Sequence, residues 1–539
     1  MKIRSLVAVA AFGLLVPGAY AQKYVGDGYI NRQVEFGLKD LHKLSQLNQG
    51  MGTARSAAMG GAFASLGADM SAMSINPAGL GMFRSTSEFS VTAGLNMNGY
   101  TNNMQSAGEW TANRTSGSLN NIGVTLNGYE GMGGLTSLTW GIGYTQLADF
   151  NYRSTIDAPP AGMNSEFVGI GDFFGWQLNG YTPKSLDTYD PRGTSIYDDE
   201  WGAWLGYKTG LVASGGVDNS YYVPGVGDNA LIAQYMNTIS KGNMGEFTLS
   251  MGMNFRNTFY LGFTLGAMNI FHDREIWFEE NYSNNSEVAK PLRQVSYSQR
   301  LRTYGDGFNF KVGMIFRPMP ELRVGLAVHS PTWTSIETRY SSDMATAYDM
   351  YGVGGLSMST PNVYFSEKYR TPARLLAGIS GTIGNMAIIT ADYDCTWYNG
   401  IRLRGDLYGM RSKDDMASEV KTYMAPAHSF RVGAEFKPTA ELSLRAGYAY
   451  SGSGWNDDVN NGRVFFDTPV ELDSNTYSAG LGYRFGGLFS LDLVYLYSKM
   501  NYSEYDLYYM EIPDAAIVSG YINPERNRHS VMLSFGLRF

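Results

Sequence analysis

Over most of the chain, apolar and polar residues alternate with a period of two. From Phe247 to Arg256, every second residue is large and apolar, and the residues between are polar or glycine. Successive side chains of a β-strand point to opposite faces, so this period predicts strands with one apolar and one polar face. Similar alternation occurs near 259–265, 308–316, 322–328, 430–436, 442–450, 477–485 and 531–539.

The length of these segments distinguishes two kinds of β-protein. A soluble sandwich with an apolar interior also shows alternation, but its strands usually have about five or six residues. Segments of about ten residues or more match tilted strands that cross a bilayer. Aromatic residues gather at segment ends, as at Tyr448, Tyr450 and Tyr483, and charged residues stay on the polar face. We therefore predict a transmembrane antiparallel β-barrel.

Fourteen segments fit the pattern, and their connections differ in length. The segments lie near 87–98, 119–129, 134–147, 243–256, 258–272, 293–317, 322–340, 370–382, 385–404, 425–437, 441–452, 475–486, 489–502 and 528–539. The segment 293–317 could also split at Gly305-Asp306-Gly307. Tight turns alternate with long stretches near 150–242, 341–369, 405–424 and 503–527. We expect the tight turns to be periplasmic and the long loops to be external.

A strand-poor segment with helical periodicity precedes the first strand. One amphipathic helix is predicted here, either as a periplasmic cap or as part of a plug, because five apolar residues share a helical face: Val34, Leu38, Leu41, Leu44 and Leu47. A second helix is predicted from small residues that would allow close packing against a wall or another backbone: Ala54, Ala57, Ala58, Gly61, Ala62 and Ser65.

A break is predicted after the small-residue helix, at Asn76-Pro77-Ala78-Gly79. Proline fixes its own φ and pushes Asn76 toward an extended conformation, and Gly79 can adopt a positive φ at little cost. The break comes shortly before the first predicted strand.

The beginning of the chain and its overall charge indicate the compartment. Lys2 and Arg4 precede an apolar run, and Ala19-Tyr20-Ala21 supplies the small residues of a cleavage site. We expect a signal peptide at 1–21 and a mature chain from Gln22. Beyond this leader, no run approaches the roughly 18 apolar residues of a spanning helix, so only strands could cross a membrane. The net charge of −8 argues against nucleic acid as a partner.

The N-terminal motifs resemble those of a known family. Gly60-Gly61-Ala62-Phe63 in a small-residue helix, then Asn76-Pro77-Ala78-Gly79-Leu80 and strands, resemble the plug of the outer-membrane long-chain fatty acid and aromatic hydrocarbon transporters (FadL/TodX type). The resemblance implies a monomeric barrel of about 14 strands at 86–539, with a mostly helical plug at 22–85 in its lumen. It also implies gating by the following plug residues: Gly60, Gly61, Phe63, Asn76, Pro77, Ala78 and Gly79.

Glycines on the predicted lumen face are a further sign of a plug. Glycine weakens strands, so its repeated use on one face suggests that another backbone or a ligand approaches there, although bends for barrel curvature would also use glycine. The glycines concerned are Gly252, Gly262, Gly266, Gly313, Gly325, Gly433, Gly447, Gly480 and Gly482.

The long stretch near 150–242 contains two further amphipathic patterns. Trp201, Trp204 and Leu205 fall on one helical face, and Leu231 to Ile239 gives a second helical piece. These faces could form a groove for capture of a hydrophobic ligand, or they could pack together as the core of the loop.

Catalytic and metal-binding motifs are not found. The five histidines are scattered, no Gly-x-Ser-x-Gly motif occurs, and we expect neither enzyme activity, nor a metal, nor another cofactor. Asp392 and Asp394 share one strand face and could act as an acid/base pair. We favour charge pairing in a polar lumen, with Arg402 and Arg404 on the same face.

The pattern and the resemblance together predict a function and its partners. We expect uptake of long-chain fatty acids or similar lipophilic molecules by diffusion through a plugged barrel in the outer membrane. A structural or adhesive barrel without transport is the alternative. The terminal Phe539, which closes an alternating strand, is expected to be the signal read by the barrel assembly machinery. Outer-membrane lipids and the hydrophobic ligand are the other expected partners.

Overall fold

The computed structural model describes most of the chain. The described residues are 23–25, 37–47, 52–83, 87–104, 107–162, 169–188, 201–215, 221–227, 229–285, 291–348, 355–404, 413–466, 469–505, 507, 509–512, 515–518 and 521–539. The expected signal peptide at 1–21 and Val34 lie outside them.

Fourteen antiparallel strands close into one barrel, which confirms the predicted fold class and strand count. The strands are β1 (Glu88–Met104), β2 (Gly108–Glu130), β3 (Leu135–Asp149 and Tyr152–Gly162), β4 (Leu231–Phe255), β5 (Phe259–Ser283), β6 (Leu292–Met319), β7 (Leu322–His329 and Trp333–Tyr348), β8 (Val363–Arg370 and Arg374–Ile383), β9 (Ala387–Trp397 and Arg402–Leu403), β10 (Pro426–Phe436), β11 (Leu442–Ser451), β12 (Glu471–Phe485), β13 (Phe489–Tyr502) and β14 (Ile522–Arg538).

The closure joins the first strand to the last. β1 pairs with β14 from Glu88↔Arg538 to Met104↔Ile522, and an ion pair of 2.6 Å between Arg538 Nε and Glu88 Oε2 lies at one end of this seam. β6 is continuous, so the segment near 293–317 does not split at its glycines.

The apolar face of the strands points outward and the polar face points into the lumen. Phe247 is 59% exposed and Leu249 is 47% exposed, whereas Thr248 and Ser250 between them are buried. This orientation is opposite to that of a soluble sandwich, whose apolar residues would be inside. The band of exposed apolar side chains is the surface expected of a membrane barrel.

The two ends of the barrel differ as predicted. Six connections at one end are short turns, for example from Phe255 to Phe259, and the opposite end carries longer loops, apart from the connection between β1 and β2. β4 and β5 have 25 residues each and β6 has 28, more than the roughly eleven needed to cross a bilayer. These strands therefore extend well beyond the membrane on the long-loop side.

The prediction for the long external loop was partly wrong. Leu231 to Ile239 is not a helix, because it forms the outer end of β4 and pairs with β5 and with Tyr152–Gly162 of β3. In this piece, strand pairing along the extended barrel wall outweighs the local helical periodicity. The described part of the loop carries three short helices: Ile170–Gln177, Pro183–Thr188 and Trp201–Lys208.

Short helical elements occur in the described part of the N-terminal segment. They are the α-helices Leu38–Lys43 and Ala54–Ala58 and the 3₁₀ helices Met70–Met73 and Pro77–Met82. The small-residue helix is shorter than predicted, because Gly60 and Gly61 adopt positive φ values of 67° and 74° and turn the chain. Among the described residues, no helix is long and apolar enough to cross a membrane.

Described residues before β1 are found at both ends of the barrel. Lys23–Val25 pairs with Val464–Phe466, which lies between β11 and β12 on the long-loop side. The chain then reaches Glu88 at the short-turn end, beside Arg538. We call residues 37–47 the outer segment and residues 52–83 the inner segment.

Candidate functional site in the barrel lumen

The inner segment packs against the lumen face of the wall at glycines. A Cβ atom at seven of the nine predicted lumen glycines would come within 3.0 Å of an atom of this segment: Gly252, Gly262, Gly313, Gly325, Gly433, Gly447 and Gly480. Gly266 and Gly482 are approached by side chains of the wall instead. The nearest atoms of the inner segment are side-chain atoms at Gly313 and Gly480 and backbone atoms at the other five positions. The expectation that another backbone approaches this face is therefore confirmed at these five positions, and curvature alone does not explain the seven.

Polar side chains of the wall bind the backbone of the inner segment. Ser534 Oγ accepts from the Ala54 N–H at 2.7 Å, and Asp392 Oδ2 accepts from the Ala64 N–H at 2.7 Å. In return, Ser478 Oγ donates to the Ala58 carbonyl at 3.0 Å. The polar face of the strands thus satisfies backbone groups that burial would otherwise leave unpaired.

Asn76 joins the inner segment to the wall. Its backbone is extended (φ −143°, ψ 102°), as predicted, and its Oδ1 accepts from the Ala78 N–H at 3.1 Å. Its Nδ2 donates to the Ala64 carbonyl at 2.6 Å and to the Met314 carbonyl of β6 at 3.2 Å. The fully buried Asn76 amide therefore caps the 3₁₀ helix. It also connects two parts of the inner segment and binds this segment to the barrel wall.

Pro77 and Gly79, which follow Asn76 in the chain, have different structural roles. Pro77 occupies the first turn of the 3₁₀ helix, where its missing N–H is harmless. Gly79 does not adopt the positive φ that we expected. A glycine is required there because a Cβ would meet the Leu66 carbonyl and the Gly67 backbone.

The other predicted plug residues lie at the turn after the Ala54–Ala58 helix. Gly60 is pressed against backbone atoms of Tyr448 and Val432, and its positive φ also favours glycine. Phe63 is fully buried, and the Arg55 guanidinium lies 5.4 Å from the centre of its ring. Arg55 also pairs with Glu435 of β10 at 3.3 Å, so the turn is bound by both apolar and ionic contacts.

The outer segment occupies the lumen nearer the long loops. Leu38, Leu41 and Leu44 are buried in a cluster with Tyr398 and Trp455, among other residues, which confirms the amphipathic helix at residues 38–43. It is not a periplasmic cap, because these contacts lie on the long-loop side.

His42 fixes the outer segment to the wall. Its Nε2 donates to the Ser453 carbonyl at 2.6 Å, and the rings of Tyr398 and Trp455 lie within 5 Å of its ring centre. Burial lowers the pKa of the His42 imidazole to about 4, so the side chain is neutral at pH 7.

Two adjoining cavities, together called the lumen chamber, lie beside the outer segment. Their volumes are about 100 Å³ and about 90 Å³. Both are lined by Leu47 of the outer segment and by Tyr398, and the smaller one is also lined by Ser74 of the inner segment. One side of this smaller cavity is apolar: Leu44, Leu147, Met244, Met268 and Ala427.

The polar side of the lumen chamber carries ion pairs. Lys311 pairs with Glu246, and Asp394 pairs with Arg374 and with Arg431, the latter at 3.0 Å. The predicted partners of Asp394, Arg402 and Arg404, were therefore wrong, because strand β9 is interrupted at residues 398–401 before it reaches them. The side chain of Asp394 nevertheless belongs to a group of paired charges in the lumen, and not to an acid/base pair.

The chamber has more cationic than acidic side chains. Among the described residues, eight cationic ones line it: Lys39, Lys43, Lys311, Arg274, Arg374, Arg431, Arg526 and Arg528. Five acidic ones do so: Asp40, Asp149, Glu246, Asp394 and Glu471. Burial lowers the pKa of the Lys43 ammonium to about 7, so this residue carries only part of a charge at neutral pH. The chamber thus combines an apolar wall with an excess of positive charge.

The remaining predicted residues lie away from the lumen chamber. Trp201, Trp204 and Leu205 are 4%, 2% and 0% exposed, and they lie on a loop helix above the barrel rather than in an open groove. Phe539 is 63% exposed at the short-turn end, where its backbone exchanges two hydrogen bonds of 3.0 Å with Ser87. Among the described residues, no group of His, Cys, Asp or Glu side chains could hold a metal ion.

A family model decides the classification. The model described as "Outer membrane protein transport protein (OMPP1/FadL/TodX)" matches residues 228–506, just over half of the 539 residues. The chain belongs to this family. The protein therefore resides in the outer membrane and transports hydrophobic compounds. The family consists of transporters and channels, which is consistent with a non-enzymatic role.

Solved structures with a similar chain path include members of the same FadL/TodX group. The P. putida toluene transporter TodX is 10% identical, with 92% of this chain and 99% of that chain covered and a TM-score of 0.49. A Pseudomonas aeruginosa FadL homologue is 13% identical, covers 91% and 98%, and has a TM-score of 0.49. The Ralstonia pickettii toluene transporter TbuX is 13% identical, covers 91% and 99%, and has a TM-score of 0.47. No curated protein matches the chain.

Sequence reasoning missed most of the chamber. Lys311 and Arg431 were recognised only as polar-face charges, and Arg374 and Glu246 were not identified. The only available signal was their position on the polar face of strands, which many other residues share. The four residues lie on β4, β6, β8 and β10, and closure of the barrel brings them to one cavity.

Proposed function

We propose that this FadL/TodX protein takes up long-chain fatty acids or similar lipophilic acids by diffusion through the plugged barrel. This proposal rests on the lumen chamber. Its apolar side can hold a hydrocarbon chain, and its excess of cationic side chains can bind a carboxylate. A water-filled pore would offer a hydrocarbon no favourable site, whereas an apolar cavity removes it from water.

Binding of an acid can be tested against binding of the matching alcohol. Arg431→Gln leaves the Arg374–Asp394 pair in place and removes one positive charge from the chamber. We expect it to weaken binding of a fluorescent long-chain fatty acid about tenfold, because hydrogen bonds to charged groups contribute about 1.5–3 kcal/mol. The corresponding fatty alcohol should bind nearly unchanged.

The control for this test is Arg463→Gln, which removes an exposed loop arginine paired with Asp458. It should affect neither ligand. Equal losses for acid and alcohol in Arg431→Gln would contradict recognition of a carboxylate.

The two N-terminal segments suggest how passage is controlled. A ligand from outside reaches the lumen chamber only if the outer segment moves, and it can pass toward the short-turn end only if the inner segment moves. We propose that both act as gates, with Asn76 and Pro77 as the hinge of the inner one, because hinges often lie at the ends of elements. Gly60, Gly61, Phe63, Ala78 and Gly79 support this gate through the close packing described above.

The outer gate is expected to depend on pH. In the undocked segment, His42 would have an ordinary pKa near 6.5, against about 4 when docked. A lowered pKa means that docking is lost as pH falls below 6.5, since the undocked state takes up the proton first. Between pH 7 and pH 5, opening should increase roughly twentyfold by this linkage.

Hydrogen exchange of residues 37–47, corrected for intrinsic rates, would measure this opening. His42→Gln keeps an N–H donor toward the Ser453 carbonyl but cannot titrate in this range. Its corrected exchange should therefore change only about twofold between pH 7 and pH 5, the part contributed by Lys43, whose pKa in the docked segment is about 7. A wild-type protein whose opening changes no more than this would rule out His42 as the cause.

Capture by the loop helix is the remaining part of the proposal. Because Trp201 and Trp204 are buried, a ligand could contact them only when the helix lifts from the barrel. Trp201→Ala with Trp204→Ala should slow uptake at limiting ligand, while uptake at saturating ligand and barrel assembly stay normal. Trp176→Ala, which removes a 39% exposed tryptophan on a neighbouring helix, is the matched control. Unchanged uptake at limiting ligand would leave the two tryptophans as a loop core.

The role of Phe539 is likewise a proposal. Its exposure at the end of the closing strand is compatible with a signal read by the barrel assembly machinery.

A further inference from the structure

The outer surface of the barrel changes from apolar to polar at a defined level. On β6 the outward residues are apolar from Phe316 to Phe308, and Phe308 stands opposite Trp333 of β7. The ring of Phe310 lies 6.2 Å from that of Trp333, as in an aromatic girdle. Beyond this level the extended wall faces the exterior.

A cleft that contains three arginines lies on this extended wall. It measures about 260 Å³ and is lined by Arg300 and Arg302 of β6, Arg339, Tyr340 and Ser341 of β7, and Asn362 and Tyr364. Among the described residues, none that lines the cleft is a carboxylate. The side chains that line the cleft are therefore cationic or uncharged, on a chain whose net charge is −8.

Neighbouring carboxylates hold the arginines in place. Arg300 binds Asp273 through two hydrogen bonds of 3.0 and 2.7 Å, and Arg302 reaches the same carboxylate at 3.3 Å. Two guanidinium groups thus share the Asp273 carboxylate, and Glu275, the neighbour of Arg300 on β5, adds a second negative charge beside them. Their side chains are 38% and 39% exposed, so they remain accessible to a ligand.

The third arginine is fixed between aromatic rings. The Arg339 guanidinium lies 5.4 Å from the ring centres of both Tyr304 and Tyr364 and binds Glu337 at 2.9 Å. It is 47% exposed. Such a fixed planar cation loses little freedom when it binds a planar or tetrahedral anion.

The height of the cleft matches the head groups of the outer leaflet. Arg302 lies six residues beyond Phe308, and Arg339 is its direct neighbour on β7. At about 3.3 Å per residue and a tilt of about 40°, this is roughly 15 Å above the apolar band. At this level the sugars and phosphates of outer-leaflet glycolipids surround the barrel.

We propose that this arginine cleft binds the phosphate groups of a lipopolysaccharide head group. Guanidinium groups bind phosphate oxygens through paired hydrogen bonds, and the flanking tyrosines offer faces on which sugar rings can pack. Lipid is the favoured source of phosphate because the cleft lies on the outside of the wall, directly above the membrane-facing band and outside the lumen. The site is separate from the transport path.

Binding of lipopolysaccharide to the purified barrel in detergent would test this site. The variant Arg300→Gln, Arg302→Gln, Arg339→Gln should bind lipopolysaccharide at least tenfold more weakly than the wild type. Enzymatically dephosphorylated lipopolysaccharide should bind the wild type as weakly as intact lipopolysaccharide binds the variant. Arg153→Gln with Arg463→Gln removes two exposed arginines elsewhere and should bind normally.

Three results would overturn the proposal. They are normal binding by the triple variant, equal binding of dephosphorylated lipopolysaccharide, and full competition by millimolar inorganic phosphate, which would indicate a site for soluble anions. Heat modifiability would show whether the triple variant is folded. If it is not, Arg339→Gln alone, compared with Arg339→Lys, provides the same test, with weaker binding by the glutamine variant expected.

Discussion

Gly262→Val is expected to displace the inner segment and open the barrel. A Cβ at Gly262 would collide with the backbone of Pro77 and Ala78, and neither the β5 backbone nor the 3₁₀ helix can move aside without breaking its hydrogen bonds. Overpacking of this kind costs about 1–3 kcal/mol or more. The equilibrium constant for docking should therefore fall by about five- to 160-fold. Single-channel conductance in planar bilayers would show this as frequent large openings.

Gly381→Val is the matched control, because it also places valine in a barrel strand but meets no atom within 4 Å. It should insert and remain closed like the wild type. The Gly262→Val barrel could instead be heat-modifiable, correctly folded and still closed. This result would show that close packing at Gly262 does not hold the inner segment in the lumen.

The second large effect is expected at Asn76. Asn76→Ala with Pro77→Ala removes three hydrogen bonds and a rigid turn from a fully buried position, while the barrel strands are untouched. At about 1 kcal/mol for each hydrogen bond, docking of the inner segment should weaken by about 3 kcal/mol. An undocked inner segment leaves a water-filled lumen, which gives an apolar molecule no favourable path. Uptake of a hydrophobic substrate by cells or proteoliposomes should therefore fall strongly, and the thermal stability of the barrel should change little.

Asn76→Asp gives a sharper version of the same experiment. The carboxylate can still accept from the Ala78 N–H, but it cannot donate to the Ala64 and Met314 carbonyls and would repel them. We therefore expect it to impair uptake at least as much as alanine. Normal transport in all these variants would show that the turn is only a connector. A loss of both transport and thermal stability would show that the turn is needed for folding.

The positions where prediction failed share a physical cause. Asp392 and Asp394 were correctly placed on the lumen face by the period of two, but their partners came from β10, β8 and the inner segment rather than from Arg402 and Arg404. Periodicity reports the face on which a side chain lies. It does not report which distant strand stands beside it, because that depends on closure of the whole barrel.

The outer segment shows the same distinction. Its helix was predicted from apolar spacing, but its place near the long loops follows from contacts with residues more than 300 positions away, such as Ser453. A short helix of six residues has few local determinants of its position. Its position is therefore set by the cluster into which its leucines pack.

By itself, the sequence determined the strands, their outward apolar face, the membrane barrel and the need for a close neighbour at the lumen glycines. These features follow from local period, strand length and residue size, which need no knowledge of partners. Only the tertiary structure decided the shape of the lumen chamber, its excess of cationic side chains and the arginine cleft on the outer wall. Each of these joins residues from several strands, and strand pairing around a closed barrel is a non-local property.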